Sequence, residues 1–101
     1  MGIQSKVSDD SKTVEIAIDG RFDFSLHREF RDAYESYGEA VEEYRIDMSE
    51  TVYLDSSALG MMLLLRDFAA GNNASISILN CNDDVRQIFA ISNFEQLFDL
   101  D

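Results

Sequence analysis

The amino-acid sequence predicts an α/β fold in which a mixed four-stranded sheet carries its helices mainly on one face. Segments in which apolar and polar residues alternate are separated by segments with helical spacing, and this order requires crossover connections between strands. Alternation with a period of two also indicates that one sheet face is covered and the other is partly open. The 101 residues contain no proline and no low-complexity linker, so residues 1–101 are predicted to form a single domain.

The first half of the chain is predicted to form two paired strands and one helix. The first strand covers residues 3–7, and the second alternates over residues 14–18 after the polar turn at 8–11. A helix follows, with Ser25 as its N-cap and Gly38 at its end. Its apolar residues recur at helical spacing: Leu26, Phe30, Ala33, Tyr34 and Tyr37.

The second half is predicted to add two strands, two helices and an apolar tail. In chain order these are a third strand at 44–48, an apolar step at 52–54, a second helix at 57–70, a fourth strand at 75–79 and a third helix capped by Asn82 or Asp83. The tail contains four apolar residues, which are expected to pack back onto the core: Phe94, Leu97, Phe98 and Leu100.

The charge balance excludes two classes of partner. The formal net charge is −12, from 20 acidic and 8 basic side chains, and the basic residues are scattered along the chain. Nucleic acid and anionic membrane surfaces are bound through clustered Lys and Arg, so neither is an expected partner. Repulsion between copies favours a monomer, and the acidity favours a basic protein partner.

The sequence also argues against membrane insertion, disulfides and metal binding. Its longest nearly unbroken apolar run, residues 58–65, is far shorter than the roughly 20 residues of a membrane-spanning helix. Cys81 is the only cysteine, so it can form neither an intrachain disulfide nor a thiolate cluster, and it is expected to be a small buried hydrophobe. The N-terminus lacks a signal-peptide pattern. We therefore expect a cytoplasmic protein without a cofactor or a metal.

The second helix departs from simple amphipathic patterning. Helical spacing places an apolar core face at Ser57, Ala58, Met61, Leu64, Leu65 and Phe68. The opposite arc is not fully polar and contains Ser56, Leu59, Gly60, Leu63, Arg66, Asp67 and Ala70. Two interpretations remain open: the helix is buried on several sides, or it carries an exposed apolar strip that binds another protein.

Ser56 lies where this helix begins, and its role also has two interpretations. Asp55, Ser56 and Ser57 are all able to cap a helix, so Ser56 could be an ordinary N-cap. A helix N-terminus also accommodates a phosphate well. Phosphorylation of Ser56 would add about −1.5 to −2 charges at the edge of the apolar strip and repel a partner that offers no cation.

Four short segments resemble the STAS domain family and, more closely, the bacterial anti-sigma factor antagonists. They are Gly20-Arg21-Phe22-Asp23, Asp47-Met48-Ser49, Asp55-Ser56-Ser57-Ala58-Leu59-Gly60 and Ser77-Ile78-Leu79-Asn80. Two features depart from the family. Ala58 replaces a glycine that is common there, and the chain stops at Asp101, short of the final strand and helix of longer members.

The resemblance implies a phosphorylation-controlled partner switch. Ser56 matches the serine that a partner kinase phosphorylates, a kinase that is usually also the anti-sigma factor, and Asp55 and Ser57 match the flanking residues. Asp23 matches a neighbouring loop of the docking surface. The unphosphorylated protein would sequester an anti-sigma factor, phosphate would release it, and a phosphatase would restore binding. The remaining docking residues would be Leu59, Gly60 and Leu63.

Two other functions were weighed against this switch. A hydrolase triad of Ser56, Asp55 and His27 is disfavoured, because no nucleophile-elbow pattern surrounds the serine and His27 falls on the polar side of the first helix. The chain is therefore predicted not to be an enzyme. The second is a STAS interaction module that regulates a different client, such as a signalling or stress complex or a lipid-transport assembly.

Overall fold

Strands and helices alternate along the chain in a computed structural model that describes residues 2–38 and 40–100. The strands are β1 (Ile3–Val7), β2 (Thr13–Ile18), β3 (Gly20–Phe22), β4 (Glu43–Asp47), β5 (Thr51–Leu54), β6 (Ser75–Leu79) and β7 (Asp99–Leu100). The α-helices are α1 (His27–Glu35), α2 (Ser56–Gly71) and α3 (Asp83–Ile91), and single 3₁₀ turns cover Phe24–Leu26 and Phe94–Gln96.

The main sheet is mixed, as predicted, and has the strand order β1-β2-β4-β6-β7. Strand β1 runs antiparallel to β2, whereas the other neighbours are parallel. Ile16, Ile46 and Ile78 lie side by side across the sheet and are fully buried. The opposite face is polar, and on it Lys6 Nζ lies 3.3 Å from Glu15 Oε1. The strand alternation therefore places the core on one face only.

The sheet has five strands where the sequence predicts four. The additional strand, β7, comes from the apolar tail and pairs through Ile78 and Leu100. Phe98 is buried in the core, so the tail packs back onto the domain as expected. A strand of two residues is too short to show alternation, which is why the sequence pattern did not reveal it.

A second, two-stranded sheet formed by β3 and β5 connects the core to the start of two helices. The strands are parallel, with Phe22 opposite Leu54, and both side chains are buried. Gly20 begins β3 at a φ of +84°, a conformation that favours glycine. Thr51 is fully buried, and its hydroxyl donates a 2.7 Å hydrogen bond to the carbonyl of Ile18. This bond ties the small sheet to the end of β2.

The helix boundaries correct one predicted cap and confirm another. Asp23, rather than Ser25, caps the turn before α1 by accepting a hydrogen bond from the Ser25 amide at 2.9 Å. Helix α1 ends at Glu35, so Gly38 lies three residues beyond it, at a φ of +79°. Asn82 caps α3, as predicted, by accepting from the Val85 amide at 2.9 Å.

Helix α2 is rotated relative to the predicted core face. Its buried residues are Ala58, Met61, Met62, Leu65 and Ala69. Leu64, predicted to face the core, is instead 61% exposed. Met62, which was not part of the predicted core face, is fully buried, so the buried side of the helix is shifted away from Leu64. Leu59 is partly buried against the core, and Leu63 is half-buried. The helix is therefore buried over a broad arc, and the predicted exposed strip with Leu59 and Leu63 is not present; Leu64 is the apolar residue that is exposed instead.

Cys81 packs against the core as a small hydrophobe, but it is half-buried and not buried as predicted. Burial raises the pKa of its thiol. None of the helices in the described part of the chain is long and apolar enough to cross a membrane.

Candidate functional site

The site is built where β3 and β5 end side by side. Phe22 and Leu54 are paired, so the residues that follow them, Asp23 and Asp55, come together at one edge of the small sheet. The Asp55 amide donates a hydrogen bond to the Phe22 carbonyl at 3.4 Å. Each aspartate then caps the helical segment that follows it. Two helix starts are thereby brought next to each other.

Asp55 is the N-cap of α2. One of its carboxylate oxygens accepts hydrogen bonds from the Ala58 amide at 2.9 Å and from the Ser57 hydroxyl at 2.6 Å. The Ser57 hydrogen bond is the largest of the effects that lower the pKa of Asp55, and the Ala58 amide also lowers it. Ser57 therefore orients the cap, and its hydroxyl is engaged within the chain.

Ser56 is the first residue of α2, and its side chain is exposed. Because Asp55 is the cap, the interpretation of Ser56 as an ordinary N-cap is wrong. Within the described residues, the Ser56 hydroxyl has no hydrogen-bond partner, whereas the hydroxyl of Ser57 does. The Ser56 oxygen is therefore open to solvent and is engaged in no hydrogen bond with the rest of the described chain.

The segment before α1 repeats the arrangement at Asp55. Asp23 accepts hydrogen bonds from the amide of Ser25 at 2.9 Å and from its hydroxyl at 2.5 Å. Both aspartates thus bind a serine two positions later. The intervening residue is Ser56 in one segment and Phe24 in the other, and Phe24 is 61% exposed. Phe24 lies between an aspartate and a serine, as Ser56 does, so the sequence could have identified Phe24 as a further residue of this site.

Arg21 is a cation beside this pair of caps. Its Nε lies 4.0 Å from Asp23 Oδ2, and its guanidinium lies 4.6 Å from the centre of the exposed Tyr53 ring. Arg21 and Tyr53 are opposite each other in β3 and β5. The charge of Arg21 also contributes to lowering the pKa of Asp55. Neither Arg21 nor Tyr53 was among the predicted docking residues.

An apolar groove extends from the site between α1 and α2. Its volume is about 110 Å³, and its wall residues are Phe24, His27, Phe30, Arg31, Tyr34, Met61 and Leu64. Leu64 lies two turns after Ser56 on α2, with Gly60 between them. The exposed stripe of α2 therefore consists of Ser56, Gly60 and Leu64. Of the predicted docking residues on this helix, Gly60 is exposed, whereas Leu59 and Leu63 are partly buried.

His27 does not join Ser56 and Asp55 in a catalytic arrangement. Its ring stacks on Phe24 with centroids 4.2 Å apart, and its Nδ1 lies 3.1 Å from the Phe24 carbonyl oxygen. The Asp55 carboxylate is bonded to Ser57 and Ala58. No group of three or more His, Cys, Asp or Glu side chains arranged to bind a metal occurs among the residues described.

The fold and this surface define an α/β domain with an exposed serine at the start of a helix. The family model described as "Mlab, STAS domain" matches residues 5–99, and the chain belongs to this family. A STAS-domain containing protein of Pseudomonas aeruginosa strain UCBPP-PA14 is 55% identical over 98 residues, which cover 97% of each chain.

Solved structures of anti-sigma factor antagonists share the fold. The phosphorylated form of the Bacillus cell fate determinant SpoIIAA has a TM-score of 0.68 at 18% identity, covering 98% of this chain and 90% of that one. A serine-to-glutamate variant of Moorella thermoacetica RsbS has a TM-score of 0.80 at 14% identity, covering 100% and 86%. An anti-sigma factor antagonist from Mycobacterium paratuberculosis has a TM-score of 0.74 at 15% identity, covering 97% and 84%.

Proposed function

We propose that this chain is an anti-sigma factor antagonist whose binding is switched by phosphorylation of Ser56. The unphosphorylated chain binds and sequesters an anti-sigma factor, a serine kinase adds the phosphate that releases it, and a serine phosphatase reverses the change. The observation that carries the proposal is the exposed Ser56 hydroxyl, which has no hydrogen-bond partner among the described residues, while Asp55 caps the helix and Ser57 bonds to Asp55. The chain acts by binding, without catalysis of its own.

The position of Ser56 explains how a phosphate would change binding without unfolding the domain. The first turn of a helix offers free amides and a favourable dipole, so it accommodates negative charge. The same phosphate would stand beside the Asp55 carboxylate and next to the exposed stripe of α2. A partner docked there would meet about −1.5 to −2 additional charges, which repel acidic groups and impose a desolvation cost.

The direct test compares Ser56→Ala and Ser56→Glu with the wild-type chain. Purified anti-sigma factors from the same genome are titrated against each variant by isothermal calorimetry. We expect the wild type and Ser56→Ala to bind one of them equally and Ser56→Glu to bind it at least tenfold more weakly, a loss of about 1.4 kcal/mol or more. Equal binding by all three variants would contradict the switch. Gln87→Glu, which adds the same charge at an exposed position of α3, is the matched control.

A second experiment tests the modification itself. The chain is incubated with ATP and a serine kinase from the same genome, and phosphate is located by mass spectrometry. We expect phosphate on Ser56 in the wild type and no phosphate on residue 56 in Ser56→Ala. Ser57→Ala should still be phosphorylated on Ser56. Phosphate found only at another serine would contradict the assignment of Ser56.

An interaction module with a different client is the second candidate. Two observations favour it: the matching family model carries the description "Mlab, STAS domain", and the fold is shared with a sulfate transporter family protein from Wolinella succinogenes at a TM-score of 0.75 and 12% identity. Under this alternative, the wild-type chain would bind none of the anti-sigma factors in the titration described above.

A further inference from the structure

The two edges of the main sheet differ in what they expose. Strand β7 closes one edge with only two residues, whereas β1 presents five residues at the other edge. Edge strands are usually shortened, bulged, charged or covered, because their free amides and carbonyls otherwise accept another strand. Strand β1 pairs with β2 in continuous register, and the chain contains no proline. The one charged side chain of β1, Lys6, is engaged with Glu15 on the polar face of the sheet.

The hydrogen-bond pattern of β1 shows which of its backbone groups are free. The Asp19 amide donates to the Gly2 carbonyl at 2.8 Å, and the Ser8 amide donates to the Thr13 carbonyl at 2.9 Å. Hydrogen-bonded pairs alternate along an antiparallel ladder, so the even-numbered residues of β1 face β2. The amides and carbonyls that point away from the sheet therefore belong to Ile3, Ser5 and Val7. This row of donors and acceptors is satisfied by an extended segment, not by a helix, whose backbone groups bond internally.

An open groove runs beside this edge, between β1 and α1, and is called the edge groove below. Its volume is about 350 Å³, and its wall residues are Ile3, Ser5, Glu29, Asp32, Ala33 and Ser36. The edge groove is distinct from the apolar groove between α1 and α2 described above. Helix α1 separates the two grooves, since it packs against β1 and β2 and also against α2.

The wall of the edge groove carries negative charge only. Glu29 and Asp32 are exposed, and neither belongs to an ion pair in the described part of the chain. The cations of α1 are placed elsewhere: Arg31 lines the apolar groove and bonds to Glu35 at 3.2 Å, and the exposed Arg28 is not a wall residue of the edge groove. A strand added to β1 would have every second side chain on the groove side, where Lys or Arg would meet the two carboxylates.

A second copy of this chain fits the edge less well than a basic segment does. Pairing about a two-fold axis at Ser5 would align the outward backbone groups of both copies. The same pairing would bring the Glu29 and Asp32 faces of two α1 helices together, and each copy carries a net charge of −12. Repulsion therefore opposes self-association and favours a basic partner at this edge.

We propose that the free edge of β1 binds an extended, basic segment of a partner protein. The segment adds to the main sheet as a sixth strand and places Lys or Arg side chains beside Glu29 and Asp32. Hydrogen bonds to the odd-numbered residues of β1 supply the affinity, and the alternate side chains supply the selectivity. The edge groove lies across α1 from the apolar groove that extends from Ser56, so binding here does not depend on the proposed partner switch.

Amide hydrogen exchange measured by NMR tests strand addition directly. The probe is a short peptide with blocked ends in which lysine alternates with threonine. In the free chain, the amides of Ile3, Ser5 and Val7 should exchange faster than those of Gln4 and Lys6. A saturating concentration of the peptide should slow exchange of the first three amides at least fivefold and leave the other two nearly unchanged. Unchanged exchange of the first three amides would overturn the proposal.

Two control peptides separate strand addition from general attraction between charges. A peptide with glutamate in place of each lysine should bind the wild-type chain at least fivefold more weakly. A helical, alanine-rich peptide with the same number of lysines should not slow exchange of the outward amides of β1. Equal binding of the glutamate peptide, or equal protection by the helical peptide, would contradict a site for an extended basic segment.

Ser5→Pro and Ser5→Ala form a matched pair of variants. Both remove the Ser5 hydroxyl, which lies 2.9 Å from the Tyr37 hydroxyl, but only proline removes the outward amide at the centre of the edge. The bonds to β2 are kept, because the Ser5 amide does not point towards that strand. We expect Ser5→Pro to weaken peptide binding at least fivefold and Ser5→Ala to leave it within twofold. Equal binding by the two variants would refute the role of the edge.

A second pair of variants keeps the proposal testable if the proline prevents folding. Glu29→Gln combined with Asp32→Asn removes the two carboxylates of the edge groove. Asp67→Asn combined with Glu95→Gln removes two exposed carboxylates elsewhere and is the control. At low salt, we expect the first combination to weaken peptide binding roughly fivefold and the control to leave it within twofold. Equal effects would mean that binding follows net charge, and the proposal would be wrong.

The remaining outcomes separate the edge from the partner switch and from self-association. Ser56→Glu should bind the peptide as the wild type does, and weaker binding would place the peptide at the start of α2 and refute the edge site. A free chain that sediments as a dimer, and as a monomer in Ser5→Pro, would assign the edge to self-association and also refute the proposal. If the chain binds the peptide at β1 but binds no anti-sigma factor, only the partner switch is refuted.

Discussion

At the scale of single residues, the site depends on which hydroxyls are engaged and which are free. Three consecutive residues, Asp55, Ser56 and Ser57, all have capping side chains, but the fold uses only one as the cap. Asp55 caps, Ser57 bonds to Asp55 at 2.6 Å, and Ser56 remains in solvent. A hydrogen-bonded serine and a solvent-exposed one therefore lie one position apart along the helix.

Replacing Asp55 with asparagine should reveal the cap as a pH-dependent contribution to stability. Since the folded-state pKa of Asp55 is lowered, mainly by the Ser57 hydroxyl, its stabilisation is present above the unfolded pKa near 3.8 and is lost as the pH falls through the folded value. We expect Asp55→Asn to be less stable than the wild type at pH 7 and to approach it below pH 3.8. Urea unfolding at several pH values measures this, and a constant difference would contradict it.

Ser56→Glu should leave the domain at least as stable as the wild type. A negative charge in the first turn of α2 interacts favourably with the helix dipole, by about 0.3–1 kcal/mol at a surface position. Repulsion from Asp55 acts against this gain, so we expect a change in the thermal midpoint close to zero. Ser57→Ala provides the contrast, because it removes the 2.6 Å bond to the cap and should lower the midpoint. A strongly destabilised Ser56→Glu would mean that loss of binding reflects unfolding.

At the scale of elements, the small sheet of β3 and β5 determines where the two helix starts lie. It is anchored to the main sheet by the Thr51 hydroxyl, which donates to the Ile18 carbonyl at 2.7 Å. The Gly20 amide donates to the Glu50 carbonyl at 2.9 Å and joins the starts of the two small strands. Because Asp23 and Asp55 follow directly from these strands, disturbing the small sheet should disturb the docking surface.

Thr51→Val should destabilise the domain by about 1–3 kcal/mol, because the change preserves the side-chain shape and leaves a buried carbonyl without its partner. Amide hydrogen exchange should also accelerate in residues 20–22 and 51–54, which form the small sheet. Thr13→Val, on the first residue of β2, is the control and should change stability little. Loss of stability without faster exchange in the small sheet would contradict its proposed role as a positioning element.

Much of the fold could be predicted from periodicity, whereas the small sheet and the exposed stripe could not. The alternation of Val14, Ile16 and Ile18 predicted a strand that the structure confirms. Strand β3 has three residues and β7 has two, too few for a period to be recognised. The exposure of Leu64 depends on how tertiary packing rotates α2, and an almost continuously apolar helix contains little information about that rotation.

The site was predicted in part, and the missing part lies outside the motif. The segment from Asp55 to Gly60 predicted the helix start and singled out Ser56 and Gly60 as surface residues of the site. Phe24 lies on another segment and reaches the groove only because β3 and β5 pair. Contacts between segments distant in sequence depend on strand register, which short strands specify weakly.

At the scale of the whole molecule, the net charge of −12 should affect the speed of association more than the lifetime of the complex. Opposite charges accelerate diffusional encounter with a basic partner and are screened by salt, with a Debye length of about 10 Å at 0.1 M ionic strength. The apolar contact at Leu64 is short-range and should act on dissociation instead.

Stopped-flow measurements of the association and dissociation rates separate the effect of charge from the effect of the apolar contact. The salt concentration is varied from about 20 mM to about 500 mM, which lies on both sides of physiological ionic strength. We expect the association rate constant to fall at least tenfold over this range for wild type and Leu64→Ser alike, while Leu64→Ser dissociates faster at every salt concentration. An association rate independent of salt would show that the acidity of this chain serves only its solubility, and that partner selection depends on the groove alone.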